Sequence, residues 1–230
     1  MRYISTSFST RMLNPEVKSI EKEELTEEEA IVLATDWISS GDVKINCPFE
    51  STAKILSAKL GIHIEPQATR ISVMPGDQLL QFTLKQRPPE GEVLTEEQLQ
   101  NWPINWLLLT FKAEPKEVEE MPTKIYLANA FTPAMLAPDT NGFSVTEIDE
   151  DTAKEILQKI PFVSSIGHEA TAAFISELAG VNVPANRVSI QAHPGEAVLV
   201  LEIALPRGVL IQDPEELKQY PRKWKIVDIW

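Results

Sequence analysis

The feature that most constrains this chain is an internal repeat. Asn46-Cys47-Pro48-Phe49-Glu50-Ser51-Thr52 runs into the helical pattern Ala53 to Leu60 and stops at Gly61. Ser164-Ser165-Ile166-Gly167-His168-Glu169-Ala170-Thr171 runs into Ala172 to Ala179 and stops at Gly180. Thr52 to Thr171 and Gly61 to Gly180 are both offsets of 119 positions. In each copy a glycine follows the last apolar position of the helical face, as a left-handed C-terminal stop requires.

Other landmarks keep the same order. Tyr3 to Phe8 reads as an opening strand and is answered by Ile125 to Phe131, with Met12 and Leu13 answered by Met135 and Leu136. Thr26-Glu27-Glu28-Glu29 is a capping box for a helix that closes near Gly41, and Asp149 to Ile160 is its counterpart. Arg70 to Val73 and Leu79 to Leu84, around Pro75-Gly76-Asp77, predict a hairpin; Arg187 to Ile190 and Val198 to Leu205, around Pro194-Gly195-Glu196, predict its twin. Thr95 to Gln98 and Asp213-Pro214 each start a short helix. Trp102-Pro103-Ile104-Asn105-Trp106 is answered by Tyr220-Pro221-Arg222-Lys223-Trp224, and tryptophans at matched places point to packing. The first copy ends in a predicted strand, Trp106 to Phe111, and the stretch after Asn14-Pro15 shows no clear pattern.

These readings predict an α/β chain of two similar modules, 1–112 and 123–230, each a mixed β-sheet with flanking helices. Residues 113–122 are charged, proline-bounded and aperiodic, so they read as a linker. Fully extended, about ten residues reach roughly 30 Å, enough to join two modules side by side as an intramolecular pseudo-dimer. Such a chain is expected to act as a monomer, free to differentiate its two halves.

Composition excludes several classes. A formal charge of −13 opposes wrapping of long nucleic acid, which needs a basic surface to release counterions. It leaves room for a small phosphate ring held by backbone amides and one or two arginines. No apolar run approaches bilayer length, and the polar N-terminus is unlike a signal peptide, so a cytoplasmic location without membrane contact is expected. The single cysteine, Cys47, rules out an internal disulfide. One cysteine and three histidines (His63, His168, His193) show no metal-ligand spacing, and no cofactor motif is present. His63 and His193 fall in unmatched turns and read as surface.

His168 is different. It stands beside Gly167 just before a helix, where free amides and the helix dipole favour an anion. An imidazole there can deliver a proton near neutral pH. The blander reading of a lone loop histidine is a surface or capping residue. The first module carries Phe49 at the same place, to stack on a base or to fill space.

The second copy's Tyr126-Leu127-Ala128-Asn129-Ala130-Phe131, Ser165-Ile166-Gly167-His168-Glu169-Ala170-Thr171 and Asn186-Arg187-Val188 resemble the viral ring nucleases. These are type III anti-CRISPR proteins of archaeal viruses, with bacterial relatives. The resemblance covers nearly all of the second module and, more weakly, the first. It implies an α/β dimer that binds cyclic tetra-adenylate at its interface and cleaves it without metal, silencing CRISPR ancillary nucleases. By the same resemblance, His168 is the catalytic histidine. Arg87 and Glu90, in Gln86-Arg87-Pro88-Pro89-Glu90-Gly91, are its arginine and glutamate partners. Ser9 in the first module and Thr132 in the second match a ligand-contacting serine. Gly167 and Glu169 would present amides to a phosphate.

The two modules depart from that pattern in complementary ways. The first has Arg87 and Glu90 but Phe49 for histidine. The second has His168, but its loop is trimmed to Pro206-Arg207-Gly208, leaving Arg207 and no matching glutamate. If sites form in trans, His168 with Arg87 and Glu90 complete one pocket, and Phe49 with Arg207 leave the other dead. One histidine then predicts a single cut, giving linear tetra-adenylate with a 2′,3′-cyclic phosphate. Two other functions fit the residues: a sponge that binds the cyclic nucleotide without cutting it, and a protein-interaction module with a vestigial pocket.

Overall fold

The structure is a computed structural model and describes residues 1–85, 95–115, 122–186, 188–206 and 211–230. The chain divides into two compact units, Met1–Glu114 and Pro115–Trp230. Most of the expected linker, 116–121, lies outside the described residues.

In the first unit, β1 (Arg2–Ser5) pairs in parallel with β3 (Val43–Asn46) on one side and β4 (Gln78–Leu84) on the other. Beyond β4, β5 (Ile104–Lys112) runs antiparallel and pairs in turn with β2 (Ser19–Leu25). The order is therefore β3-β1-β4-β5-β2, a mixed sheet.

Helix α1 (Glu27–Ser40) starts at the expected capping box. The Glu29 N–H donates to Thr26 Oγ1 at 3.3 Å, and the Thr26 N–H donates back to the Glu29 carboxylate at 2.9 Å. The hydrogen bonds from Thr26 also hold the Glu29 carboxyl below its ordinary pKa. The helix buries Ala30, Ala34 and Trp37, an i, i+4, i+7 stripe, and ends at Gly41 with φ of 73°. Helix α2 (Glu50–Leu60) ends at Gly61, also left-handed. With α3 (Glu96–Gln100), capped by Thr95 and Gln98, these helices pack against Ile4, Leu80, Phe82, Ile104 and Trp106. Strand alternation explains that list, because Leu80 and Phe82 share one face of β4 and Ile104 and Trp106 one face of β5.

The second unit repeats the design. Strand β6 (Ile125–Ala128) is flanked in parallel by β8 (Phe162–Ser164) and β9 (Ala197–Ile203). Strand β10 (Arg222–Ile229) joins β9 to β7 (Gly142–Ile148), antiparallel to both. The order β8-β6-β9-β10-β7 is the first unit's order strand for strand. Helices α4 (Glu150–Lys159), α5 (Glu169–Ala179) and α6 (Pro214–Leu217) cover one face, with Phe174, Ile175, Leu199, Leu201 and Trp224 in the core. Asp149 caps α4, and Asp213 with Pro214 starts α6. Trp102, Trp106 and Trp224 are core residues, 8%, 3% and 3% exposed.

The fold class stands, and two local expectations are corrected. Arg70 to Val73 is not a strand; Val73 makes only an isolated parallel bridge to Leu13. Both sides of β4 are already taken by β1 and β5, so no hairpin partner can dock there. The same holds in the second unit, where 188–190 form no strand, Ala192 bridges Leu136, and β9 sits between β6 and β10. The expected turns do form, with Gly76 and Gly195 at φ of 87° and 83°. They feed β4 and β9 from extended segments rather than from partner strands. Five strands, β2, β3, β7, β8 and β10, were absent from the sequence expectation.

Candidate functional site

In each unit the three parallel strands point their carboxyl ends the same way. In the second unit, β6 ends at Ala128, β8 at Ser164 and β9 at Ile203. The carboxyl ends of parallel strands form the edge of an open α/β sheet that ligands ordinarily use. Thr132 follows β6 and the segment Ser165 to His168 follows β8. Strand β9 leads towards Pro206, with Arg207 outside the described residues. In the first unit the corresponding loops carry Ser9 and Phe49, and β4 leads towards Arg87 and Glu90, also outside the described residues.

His168 is the N-cap of α5 with extended backbone (φ −113°, ψ 126°), and its own side chain makes no capping hydrogen bond. Its carbonyl accepts the Ala172 N–H at 3.0 Å, closing the first helical turn. The imidazole is exposed, as is Glu169 beside it. Two braces hold this loop. Asn186 donates its N–H to the Ile166 carbonyl at 2.7 Å, and the Ser165 hydroxyl donates to the Val188 carbonyl at 2.9 Å. Within the loop, the Ile166 N–H donates to Ser164 Oγ at 3.3 Å. The eleven-residue helix thus presents its amide end beside an exposed imidazole on a fixed loop. Glu169, in the first turn, puts a carboxylate at that same end and must turn aside for an anion to seat. Gly167 is not among the glycines with positive φ, so the turn itself does not require glycine there.

The first unit builds the matched loop with different parts. Phe49 is the N-cap of α2 (φ −103°, ψ 130°) and is 66% exposed. Cys47 and Gln67 exchange backbone hydrogen bonds at 2.9 Å each way. Asn46 braces the loop with its amide, accepting from the Thr69 N–H and donating to Ser5 Oγ, each at 3.1 Å. Pro48 stands where the second unit has Gly167. It has no N–H, so this copy lacks one amide donor as well as the imidazole. Cys47 is fully buried, and desolvation pushes its thiol up to about 11, far from nucleophilic use.

Ser9 and Thr132 are matched N-caps of short 3-10 turns. Ser9 Oγ accepts the Arg11 N–H at 3.3 Å, and Thr132 Oγ1 accepts the Ala134 N–H at 3.5 Å. His63 and His193 are exposed and pair with Glu65 and Asp139 at 2.6 and 3.0 Å. Sequence reasoning missed the braces, Asn46 and Ser165. No local signal marks them, because each acts through a residue 23 positions further along the chain.

Among the described residues no helix is long and apolar enough to cross a membrane. What the fold and the loop define together is a class: tandem α/β modules, each with three parallel strands and, after one of them, a short loop that runs into a helix N-terminus. The STIV B116-like family matches residues 3–106 and again 125–224, and the chain belongs to that family as a tandem duplication. Uncharacterized protein 26 of Sulfolobus islandicus filamentous virus (isolate Iceland/Hveragerdi) is 32% identical over 97 residues, 41% of this chain and 82% of that protein. Uncharacterized protein ORF117 of Acidianus two-tailed virus is 32% identical over 80 residues, 33% of this chain and 68% of that protein. Among solved structures, B116 of Sulfolobus turreted icosahedral virus is 20% identical, covering 47% of this chain and 97% of that one with a TM-score of 0.43.

Proposed function

We propose that this protein binds cyclic oligoadenylate, cyclic tetra-adenylate first among them, and cleaves it once without a metal ion, countering type III CRISPR signalling. The observation that carries the proposal is the exposed imidazole of His168 at the amide end of α5, where it makes no capping hydrogen bond of its own. In the proposed step a ribose 2′-oxygen attacks the adjacent phosphorus and the bond from phosphorus to the 5′-oxygen breaks. The 2′-hydroxyl proton passes to solvent. His168 gives a proton to the departing 5′-oxygen, leaving a linear product with a 2′,3′-cyclic phosphate. By the family resemblance, the roles expected of Arg87 and Glu90, which lie outside the described residues, are to hold the phosphate through the guanidinium fork and to orient the arginine or the ribose. Proton donation of this kind contributes about 10²–10⁴-fold.

A second reading rests on a separate observation. Phe49 is 66% exposed on a loop whose Pro48 has lost an amide donor, an arrangement suited to stacking on a base. A protein that only sequesters the nucleotide would use it so. Radiolabelled cyclic tetra-adenylate incubated in EDTA with wild type, His168→Ala and Phe49→Ala separates the two. Nuclease action predicts a linear product whose formation His168→Ala slows by about 10²–10⁴-fold while binding persists. Binding with slow turnover indifferent to His168→Ala makes the protein a sponge, and absence of binding rejects both.

A further inference from the structure

A groove beside α1 in the first unit takes no part in that chemistry. Leu25 of β2, Leu33 of α1 and Leu108 of β5 floor a cleft of about 610 Å³. Val32 lines it with 70% of its surface exposed, a large apolar group held in water. Glu23, Glu28 and Asp36 line the rim, all exposed. Glu28, Val32 and Asp36 are spaced i, i+4, i+8, so they form one stripe along the helix. Asp36 pairs with Arg2 at 3.9 Å.

The duplication supplies an internal control. Strand register equates Glu23 opposite Leu108 with Thr146 opposite Ile226, and Leu25 opposite Trp106 with Ile148 opposite Trp224. Counting from the N-caps Thr26 and Asp149 equates Val32 with Glu155 and Asp36 with Lys159. In the second unit those two side chains form an i,i+4 ion pair, an ordinary solvated helix face. The scaffold therefore does not need an exposed valine flanked by carboxylates at this place. The first unit has one.

We propose that this groove docks a protein segment presenting an apolar side chain flanked by lysine or arginine, the pattern of a basic amphipathic helix. Charge selects the occupant. Carboxylates around an apolar floor attract cationic flanks and repel a nucleotide. A second copy of this chain, at −13, is repelled as well. An apolar side chain entering beside Val32 removes from water the surface that the free protein leaves exposed.

The test uses the full chain and a fluorescein-labelled helical peptide of leucine and lysine, about eighteen residues long, against a leucine–glutamate counterpart. Anisotropy should show binding of the lysine peptide alone, weakened several-fold between about 50 and 300 mM salt. Val32→Ser leaves the charge unchanged and should weaken binding about tenfold by removing the apolar contact. Val32→Glu with Asp36→Lys, which copies the second unit, should weaken it further. The reverse exchange, Glu155→Val with Lys159→Asp, should add a second binding event and so tests the idea even if the first-unit variants fold poorly. Binding equal in wild type and Val32→Ser, or no gain from the reverse exchange, overturns the proposal. Self-association of the wild type that Val32→Ser abolishes also overturns it, by giving the groove to a second copy.

Discussion

Replacing Ser176 by alanine should cost the second unit about 1–2 kcal/mol, although the hydroxyl touches nothing in the candidate site. Ser176 lies near the C-terminal end of α5, where its hydroxyl donates to the Ala172 carbonyl at 2.8 Å. The same oxygen accepts the Val183 N–H at 2.9 Å, pinning the segment that leaves the helix after Gly180. Val183 is 4% exposed, so its amide loses its partner without gaining water when the hydroxyl goes. A buried donor left unpaired costs about 1–3 kcal/mol, and alanine's better helix propensity returns roughly 0.5 kcal/mol. For a unit of this size each kcal/mol moves the midpoint by about 3–6 °C, so a fall of about 3–12 °C is expected. Thermal or urea unfolding measures the loss, and amide exchange at Val183 locates it. The change should also reach the candidate site, because the pinned segment continues to Asn186, whose N–H holds the Ile166 carbonyl beside Gly167. The matched serine in the first unit, Ser57, makes the same two bonds, to Ala53 and from Ile64 at 2.7 and 2.9 Å, and Ser57→Ala should behave alike. A loss under about 0.5 kcal/mol with Val183 still protected would refute the reasoning.

Cys47, with its thiol raised by burial to about 11, should resist iodoacetamide in the native chain at about pH 8 and react promptly once urea exposes it; native labelling at the rate of a free thiol would contradict the burial. His193 has its pKa raised by the hydrogen bond to Asp139 and the nearby carboxylates. A raised folded pKa means the pair's stabilisation is complete below the unfolded value, about 6.5, and fades as pH rises through the folded one. Asp139→Asn should therefore lower the His193 midpoint in an NMR titration and destabilise the protein more at pH about 5.5 than at pH about 9. An unchanged midpoint would show that the contact does not act in solution.

Much of the fold was legible because local chemistry and the global pattern agreed. The capping box at Thr26 and Glu29 and the stops at Gly41, Gly61 and Gly180 are signals carried by a few residues, and each one formed. Strand β2 was not legible, since the charged run Glu21, Lys22, Glu23 and Glu24 leaves the stretch without a clear pattern. Its Lys22 is nevertheless buried and paired with Glu24 at 3.0 Å. The failed hairpins have a different cause. Alternation around Arg70 to Val73 shows an extended segment, but only the pairing of β4 with β1 and β5 decides that no strand can join it. At the candidate site, His168 was visible because the repeat set it against Phe49. The braces from Asn46 and Ser165 depend on contacts with Thr69 and Val188, 23 residues away, which no local spacing reveals.

The repeat also separates what folding demands from what it does not. Gly61 and Gly180 are the same residue because both backbones turn left-handed, at φ of 67° and 68°. Ser57 and Ser176 are the same because each ties a helix to the segment that follows it. Asn46 and Ser165 differ, yet each bonds the backbone of the matched residue, Thr69 or Val188, so different side chains can meet one structural need. Phe49 and His168 differ and meet no such need. Both are exposed N-caps with nearly the same backbone angles, and neither side chain caps its helix. The same is true of Val32 and Glu155, exposed at one helical position on one strand register. At these two places the scaffold accepts either residue, so folding alone dictates neither the imidazole in one module nor the bare valine in the other, and these are the two positions on which the proposed ligand and the proposed partner are tested.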